Sequence, residues 1–149
     1  METATSQSVA QTEAIAAALS RTLHGGECVA LHGEMGAGKT QFVRGLVKGL
    51  GGSARAVSSP TFVLLNVYDT PPIRLPVYHL DAYRVAGPED FEGIGFPELL
   101  TQGGVVVVEW PERVETLLPK DTIHVHITPT GQTTRRIEIN RPPAPSVPR

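Results

Sequence analysis

The sequence predicts an α/β fold, because short apolar runs that suit buried strands alternate with segments whose apolar residues recur at helical spacing. Four consecutive valines at 105–108 are typical of a central strand that is buried on both faces. A glycine-rich turn at 33–38 separates another apolar run, Cys28–His32, from an amphipathic segment. This order of strand, turn and helix is the repeating unit of α/β folds.

The N-terminal elements begin with a polar segment, residues 1–8, that we expect to be flexible. Ser8 can accept a hydrogen bond at the start of a helix, and Gln11 three residues later completes the pattern of a capping box. The apolar residues of this first helix are Ala10, Ala14, Ile15, Ala18 and Leu19. Those of the helix after the glycine-rich turn are Phe42, Val43, Leu46, Val47 and Leu50.

Two antiparallel hairpins are predicted in the rest of the chain. Residues 62–68 and 73–81 are rich in β-forming residues and flank Asp-Thr-Pro-Pro, which is typical of a turn. Pro76 favours an edge strand or the first residues of a strand, because proline has no N–H to donate. The second hairpin joins 123–128 to 135–140.

A single domain over residues 9–140 is the expected organisation. A chain of 149 residues has about the usual size of one domain, and the proline-rich residues 141–149 are expected to form a disordered tail. Lys and Arg number 13 against 15 Asp and Glu, for a net charge of -2, which gives no general attraction to nucleic acid or to an anionic membrane. The sequence has no apolar run of membrane-spanning length and no signal-like N-terminus, so we expect a cytoplasmic protein without a membrane contact.

The most informative motif is Gly-Glu-Met-Gly-Ala-Gly-Lys-Thr at residues 33–40, which fits G-x-x-x-x-G-K-[ST] in full. We expect Gly33, Gly36 and Gly38 to adopt positive φ, so that successive N–H groups point towards a phosphate. The helix that follows directs its positive dipole end to the same place. Lys39 would reach the β and γ phosphates, and the Thr40 hydroxyl would bind Mg²⁺.

A phosphate site of this kind also needs a carboxylate near the metal, at the end of a neighbouring strand. Glu109 follows the four valines, and Asp81 follows the apolar run at 77–80. We assign the metal to Glu109, directly or through water, because its strand is the more convincingly central one. Asp81 would then orient water or hold the outer shell of the metal.

Three further features leave two interpretations open. The loop Ser58–Thr61 could sense the γ-phosphate as a switch, or it could be an ordinary Ser/Pro turn. Trp110, the single tryptophan, could be a core residue or a residue covered by a partner. Arg84 could contact phosphate or a partner, or take part in a surface ion pair.

The expected reaction is a slow hydrolysis of ATP that a partner accelerates. The sequence lacks the Asn-Lys-x-Asp segment that reads guanine, which favours ATP. It also offers no arginine in a lid insertion, and an arginine finger contributes about 10³–10⁵ in rate. The alternatives are a small-molecule kinase and a non-catalytic scaffold whose binding depends on nucleotide.

Four segments in order resemble a known family. They are residues 33–40, Ser-Pro-Thr-Phe at 59–62, Tyr-His-Leu-Asp-Ala-Tyr-Arg at 78–84, and Val-Glu-Trp-Pro-Glu at 108–112. Together they resemble TsaE (YjeE), the bacterial P-loop ATPases that support threonylcarbamoyladenosine formation in tRNA. The similarity runs over residues 8–140, and the third and fourth segments carry its specificity.

The resemblance implies a P-loop NTPase-like, three-layer fold with a central, mostly parallel sheet and added antiparallel hairpins. It implies ATP and Mg²⁺ as cofactors, TsaD and TsaB homologues as partners, and tRNA contacted indirectly through that complex. Its metal ligands are Thr40 and Glu109, and its catalytic residues are Lys39, Asp81, Glu109 and Thr61. Its nucleotide contacts are Gly33, Glu34, Met35, Gly36, Ala37, Gly38, Lys39, Thr40, Gln41, Ser59 and Asp81, with Val9, Thr12 and Gly131 beside the adenine. Trp110 and Arg84 are the candidate partner contacts.

Overall fold

The computed structural model describes residues 1–60 and 63–142, and these form one seven-stranded sheet in the order β1-β7-β6-β2-β5-β4-β3. Its four inner strands β6, β2, β5 and β4 run parallel to one another. The outer pairs β1·β7, β6·β7 and β3·β4 are antiparallel. The strands are β1 (Glu2–Ser6), β2 (Cys28–His32), β3 (Leu65–Tyr68), β4 (Val77–Asp81), β5 (Val105–Glu109), β6 (Ile123–Pro129) and β7 (Arg135–Asn140). The predicted parallel centre with added hairpins is confirmed.

Helices cover both faces of the sheet, as the three-layer fold requires. The helices are α1 (Val9–Ser20), α2 (Lys39–Gly49), α3 (Pro88–Gly93) and α4 (Phe96–Leu99), with 3-10 helices at Ala54–Ala56 and Pro111–Leu117. In β5, Val105 and Val107 pack in the core that α1 and α2 share. Val106 and Val108 pack in the other core, with α3, α4 and the second 3-10 helix. The strand is therefore apolar on both faces because each face meets a layer of helices.

The prediction of a flexible segment at residues 1–8 was wrong. Residues Glu2–Ser6 form β1, which pairs with β7 along its whole length. Ser6 is buried, and its hydroxyl lies 2.7 Å from the Thr12 hydroxyl of α1. The polar sequence could not show this strand, because β7 offers it the unpaired backbone groups of a sheet edge.

The start of α1 agrees with the predicted cap, but its buried face does not follow the predicted alanines. The Ser8 hydroxyl accepts the N–H of Gln11 at 3.1 Å, and the Gln11 side chain accepts the N–H of Gln7 at 2.7 Å. The buried residues of the helix are Thr12, Ala16, Leu19 and Ser20, whereas Ala10, Ala14 and Ala18 are exposed. Alanine fits either side of a helix, so α2 and the sheet decide which side is covered.

Several other predictions can be placed on the structure. Pro76 lies directly before β4, in the sheet interior, and its carbonyl accepts the Val105 N–H at 2.8 Å. Phe62, the predicted start of the first hairpin, and residues 143–149 of the tail lie outside the described residues. No helix in the described ranges has the length and apolar character needed to cross a membrane.

The contact between α1 and α2 depends on two glycines one turn apart on α2. A Cβ built on Gly45 would lie 2.5 Å from the Glu13 Cα, and one on Gly49 would lie 2.7 Å from the Ala17 Cα. Real Cβ atoms do not approach this closely, so the two backbones touch only because neither glycine has a side chain.

We predict that Gly45→Ala lowers the free energy of unfolding by about 1–3 kcal/mol, the usual effect of overpacking a close contact. Urea unfolding measures this change. Gly93→Ala is the matched control, because a Cβ there would meet nothing within 4 Å. Equal stability of the two variants would contradict the close approach of the helices.

Three histidines form a cluster on the strands β2 and β6. His32 Nε2 lies 2.8 Å from His124 Nδ1, and the rings of His32 and His126 stack with centroids 4.2 Å apart. Burial, together with the nearby His126, His124 and Lys39, lowers the pKa of His32 from 6.5 to about 4, and Glu112 opposes this shift. His32 therefore stays neutral over most of the pH range in which an unfolded histidine becomes charged.

We predict that the protein loses stability as the pH falls from 7 to 5, because the unfolded chain binds a proton at His32 and the folded chain does not. Allowing for partial exposure, His32→Gln should remove about 1–2 kcal/mol of this loss. Urea unfolding at both pH values measures it. His24→Gln, at an exposed position, is the control. The same pH slope in wild type and His32→Gln would refute the assignment.

Candidate functional site

A cleft of about 760 Å³ opens where the parallel strands end at their carboxyl side. This is the edge of an α/β sheet at which ligands usually bind. The turn before α1, the glycine-rich loop, the first turns of α2, the ends of β4 and β5, and the β6–β7 connection all contribute to it. Its lining residues include Val9, Thr12, Met35, Gly36, Gly38, Lys39, Thr40, Gln41, Arg44, Ser59, Asp81, Tyr83, Glu109, Trp110, Gln132, Thr133 and Arg135.

The glycine-rich loop curls before α2 through two left-handed residues. Gly36 has φ 79° and Gly38, the residue before α2, has φ 108°. The predicted positive φ at Gly33 is wrong, since Gly33 is not among the glycines with positive φ. A Cβ there would lie 3.1 Å from both the Ile127 carbonyl oxygen and the Ala37 Cβ. Glycine therefore suits this position because there is little room for a side chain, and not because of its backbone dihedral angles.

Arg135 fastens the β6–β7 connection to the glycine-rich loop. Its Nε donates to the Ala37 carbonyl at 2.8 Å, and its Nη1 donates to the Thr134 carbonyl at 2.9 Å. A guanidinium can serve several carbonyl groups at once because its five N–H donors are fixed in a plane. In the sequence Arg135 was only a residue of a late hairpin; its contact with the loop exists because β6 lies beside β2 in the sheet.

Lys39 holds an ammonium group that is buried without a hydrogen bond. The residue is 6% exposed, and its Nζ has no hydrogen-bond partner among residues 1–60 and 63–142. The Nζ lies 3.8 Å from the centroid of the Trp110 ring, a cation–π contact. Burial lowers the pKa of Lys39, and the carboxylates of Glu109, Asp81 and Glu112 oppose this shift. The ammonium is thus available to an anion that enters the cleft.

The two predicted acidic residues end neighbouring strands and line the same cleft. Asp81 and Glu109 face each other in register on β4 and β5, and both are buried. An oxygen of Asp81 accepts the N–H of Tyr83 at 2.7 Å. An oxygen of Glu109 lies 2.6 Å from Nε2 of His79, which the sequence did not single out. The cleft therefore places two carboxylates near the ammonium of Lys39 and the hydroxyl of Thr40.

Trp110 belongs to the wall of the cleft. The residue is half-buried, has φ 56° and packs against Tyr83, with ring centroids 4.9 Å apart and ring planes tilted by 49°. A positive φ is uncommon for a bulky residue, and here it accompanies the abrupt change from β5 to the 3-10 helix. Arg84 is exposed and does not line the cleft.

The remaining predicted contacts divide into three groups. Val9 and Met35 are exposed apolar residues at the cleft, and Thr12 and Gln41 also line it. Glu34, Ala37 and Gly131 lie outside its lining, although Gln132 and Thr133, next to Gly131, are part of it. In the predicted switch loop Ser59 lines the cleft, whereas Thr61 lies outside the described residues and stays a prediction.

Comparisons with known proteins point to one family. The family model described as "Threonylcarbamoyl adenosine biosynthesis protein TsaE" matches residues 6–137. The tRNA threonylcarbamoyladenosine biosynthesis protein TsaE of Treponema pallidum is 44% identical over 119 residues, 80% of this chain and 85% of that protein. The protein of the same name from Bacillus subtilis is 36% identical over 127 residues, 85% of this chain and 77% of its own length.

A solved structure is also similar over most of its length. The crystal structure of Bacillus subtilis YdiB superposes with a TM-score of 0.74 at 29% identity, and the match covers 91% of this chain and 82% of the other. The seven-stranded sheet, the loop at residues 33–40 and these matches lead to one conclusion. The chain belongs to the TsaE family, which takes part in the biosynthesis of threonylcarbamoyladenosine in tRNA.

Proposed function

We propose that this chain binds ATP with Mg²⁺ and hydrolyses the nucleotide as a switch during threonylcarbamoyladenosine formation. The observation that carries the proposal is the buried ammonium of Lys39, which lacks a hydrogen bond among the described residues. A buried charge without a partner is unfavourable, so such a group is kept where a ligand supplies the opposite charge. A triphosphate is the ligand that the adjoining glycine-rich loop suits.

The residues present fit both nucleotide and metal. The loop curled at Gly36 and Gly38, together with the N-terminus of α2, would hold the phosphates. The Thr40 hydroxyl and the Glu109 carboxylate would hold Mg²⁺, since hard oxygen ligands suit this ion. Bound there, the metal would neutralise charge that develops on the phosphates. The exposed apolar residues Val9 and Met35 offer surfaces on which the base can rest.

A slow reaction in the isolated chain follows from how the two cleft arginines, Arg44 and Arg135, are used. Arg44 Nη2 donates to the Val57 carbonyl at 3.5 Å. Arg135 already donates to carbonyl groups of the glycine-rich loop and of its own hairpin. Both are therefore committed to structure, whereas an arginine finger must reach the γ-phosphate. We propose that TsaD and TsaB homologues, in the cytoplasm, accelerate the reaction and hold the tRNA. The net charge of -2 favours such an indirect contact with RNA.

Phosphate release from Mg²⁺·ATP tests the proposal in three parallel reactions: the chain alone, the chain with candidate metabolites, and the chain with a TsaB–TsaD pair. Stimulated release with the pair supports the switch ATPase. A phosphorylated metabolite would indicate a small-molecule kinase instead. Nucleotide binding without turnover in every reaction would indicate a scaffold.

We predict that Lys39→Met raises the free energy of unfolding of the nucleotide-free protein by about 1–2 kcal/mol, because it removes a buried charge that has no hydrogen bond to the described residues. The same variant should bind Mg²⁺·ATP at least about 100-fold more weakly, through the loss of charge-assisted hydrogen bonds. Urea unfolding and calorimetry measure the two effects. Lys48→Met, at an exposed position of α2, should change neither. Unchanged nucleotide affinity in Lys39→Met would contradict the site.

We predict that Thr40→Ala raises the Mg²⁺ concentration needed for half-maximal turnover by about tenfold or more, as expected when a metal site is weakened. Thr40→Ser keeps the hydroxyl and is the matched control, with a Mg²⁺ requirement close to that of wild type. A titration of Mg²⁺ at fixed ATP measures this change. The same requirement in all three proteins would remove Thr40 from the metal site.

A further inference from the structure

A chain of buried hydrogen bonds leads away from the cleft, beginning at Glu109. Its carboxylate lies 2.6 Å from Nε2 of His79, which is fully buried within β4. A carboxylate offers only acceptors when ionised, so Nε2 of the histidine is the donor in this bond. His79 occupies the sheet interior, where an apolar residue would ordinarily pack, and it therefore requires a partner on its other nitrogen as well.

Tyr68 supplies that partner and extends the chain to the loop after Val57. Its hydroxyl lies 3.1 Å from His79 Nδ1, accepts the N–H of Ser58 at 3.2 Å and is 3.0 Å from the Ser58 carbonyl. Burial raises the pKa of Tyr68, so the hydroxyl keeps its proton at neutral pH. Asn66 adds a donor to the same carbonyl at 3.1 Å. Ser58 is thus bound on both its N–H and its C=O.

The far end of the same loop is attached to the other acidic residue. The Leu64 carbonyl accepts the N–H of Asp81 at 3.1 Å, and Leu64 has φ 71°, a strained value for a leucine. The loop that contains Ser59 is therefore tied at Ser58 to Glu109 through two side chains, and at Leu64 directly to Asp81. Its two ends are fixed to the two strands that carry the carboxylates of the cleft.

We infer that His79 and Tyr68 are positioning residues that couple the carboxylate of Glu109 to the loop beginning at Ser58. The inference rests on the proposed function, in which Glu109 and this loop take part in one nucleotide site. The coupling is mechanical: the His79 and Tyr68 side chains are buried, so a displacement of the Glu109 carboxylate passes through two buried hydrogen bonds to the Tyr68 hydroxyl, and from there to Ser58 at the surface. Two discrete arrangements of such a chain can link a ligand site to a loop.

A fluorescent probe on the loop tests the coupling. Val63 is 64% exposed, and Val63→Cys can be labelled selectively because Cys28 is 2% exposed and its buried thiol has a pKa of about 12. The labelled protein is titrated with Mg²⁺ and a non-hydrolysable ATP analogue, while calorimetry measures binding and phosphate release measures turnover. Tyr68→Phe removes the hydroxyl and keeps the ring. Tyr78→Phe is the matched control, since Tyr78 packs on the opposite face of the sheet.

The coupling predicts that Tyr68→Phe keeps its affinity for the ATP analogue but loses the loop's fluorescence response to it. Tyr68→Phe should bind the analogue within about twofold of wild type, yet lose most of the probe signal and turn over about tenfold more slowly, the factor for one hydrogen bond. Tyr78→Phe should behave as wild type in all three measurements. A wild-type probe signal and turnover rate in Tyr68→Phe would overturn the inference.

His79 provides a second test with two substitutions of different reach. The amide nitrogen of His79→Gln can take the place of Nε2 and keep the contact with Glu109, so this variant should match Tyr68→Phe in losing the probe signal. In His79→Asn the shorter amide can take the place of Nδ1 and keep the contact with Tyr68, but it does not reach Glu109. This variant should therefore lose the probe signal too. If both keep a wild-type signal while binding the analogue, the coupling is wrong and the proposed function stands. If the wild-type chain itself binds no Mg²⁺·ATP, the proposed function is wrong and the coupling falls with it.

Discussion

The rest of the site depends on one constraint, the burial of the Lys39 ammonium. A charge in this position is unfavourable without a counter-charge, and the nearest compensation within the described residues is the face of Trp110 and the more distant carboxylates. The loop glycines, the N-terminus of α2 and Arg135 all serve to hold this group at the cleft. In the proposed function, this arrangement prepares the site for an anion before one arrives and reduces the ordering that binding would otherwise require.

The sheet supplies the second half of this arrangement. Because β4 and β5 are parallel and in register, their last residues, Asp81 and Glu109, reach the same edge as the loop after β2. Parallel neighbours bring their carboxyl ends together without any further device. His79 lies two residues before Asp81 and therefore on the same face of β4, where it contacts Glu109. The carboxylates are consequently held by backbone pairing and by hydrogen bonds, and not by surface loops alone.

The loop between Val57 and β3 joins the site to the antiparallel edge of the sheet. Tyr68 lies on β3, the edge strand, and reaches Ser58 across the loop. An edge strand has fewer neighbours than a central one, so it is the part of the sheet that can shift at least cost in packing. The loop is attached to both this strand and β4. Under the inferred coupling, a displacement of the Glu109 carboxylate in the cleft therefore moves the loop.

The sequence by itself determined the order of the main elements from the first helix onwards, the glycine-rich loop, the central strand of four valines and the acidic residues at two strand ends. These features are encoded locally, by periodicity and by residue types that tolerate special backbone conformations. Tertiary structure alone decided the strand at Glu2–Ser6, the buried side of α1, the part played by Arg135 and the contact of His79 with Glu109. Each of these depends on which distant segments become neighbours in the sheet, and a polar or alanine-rich stretch carries no local mark of that pairing.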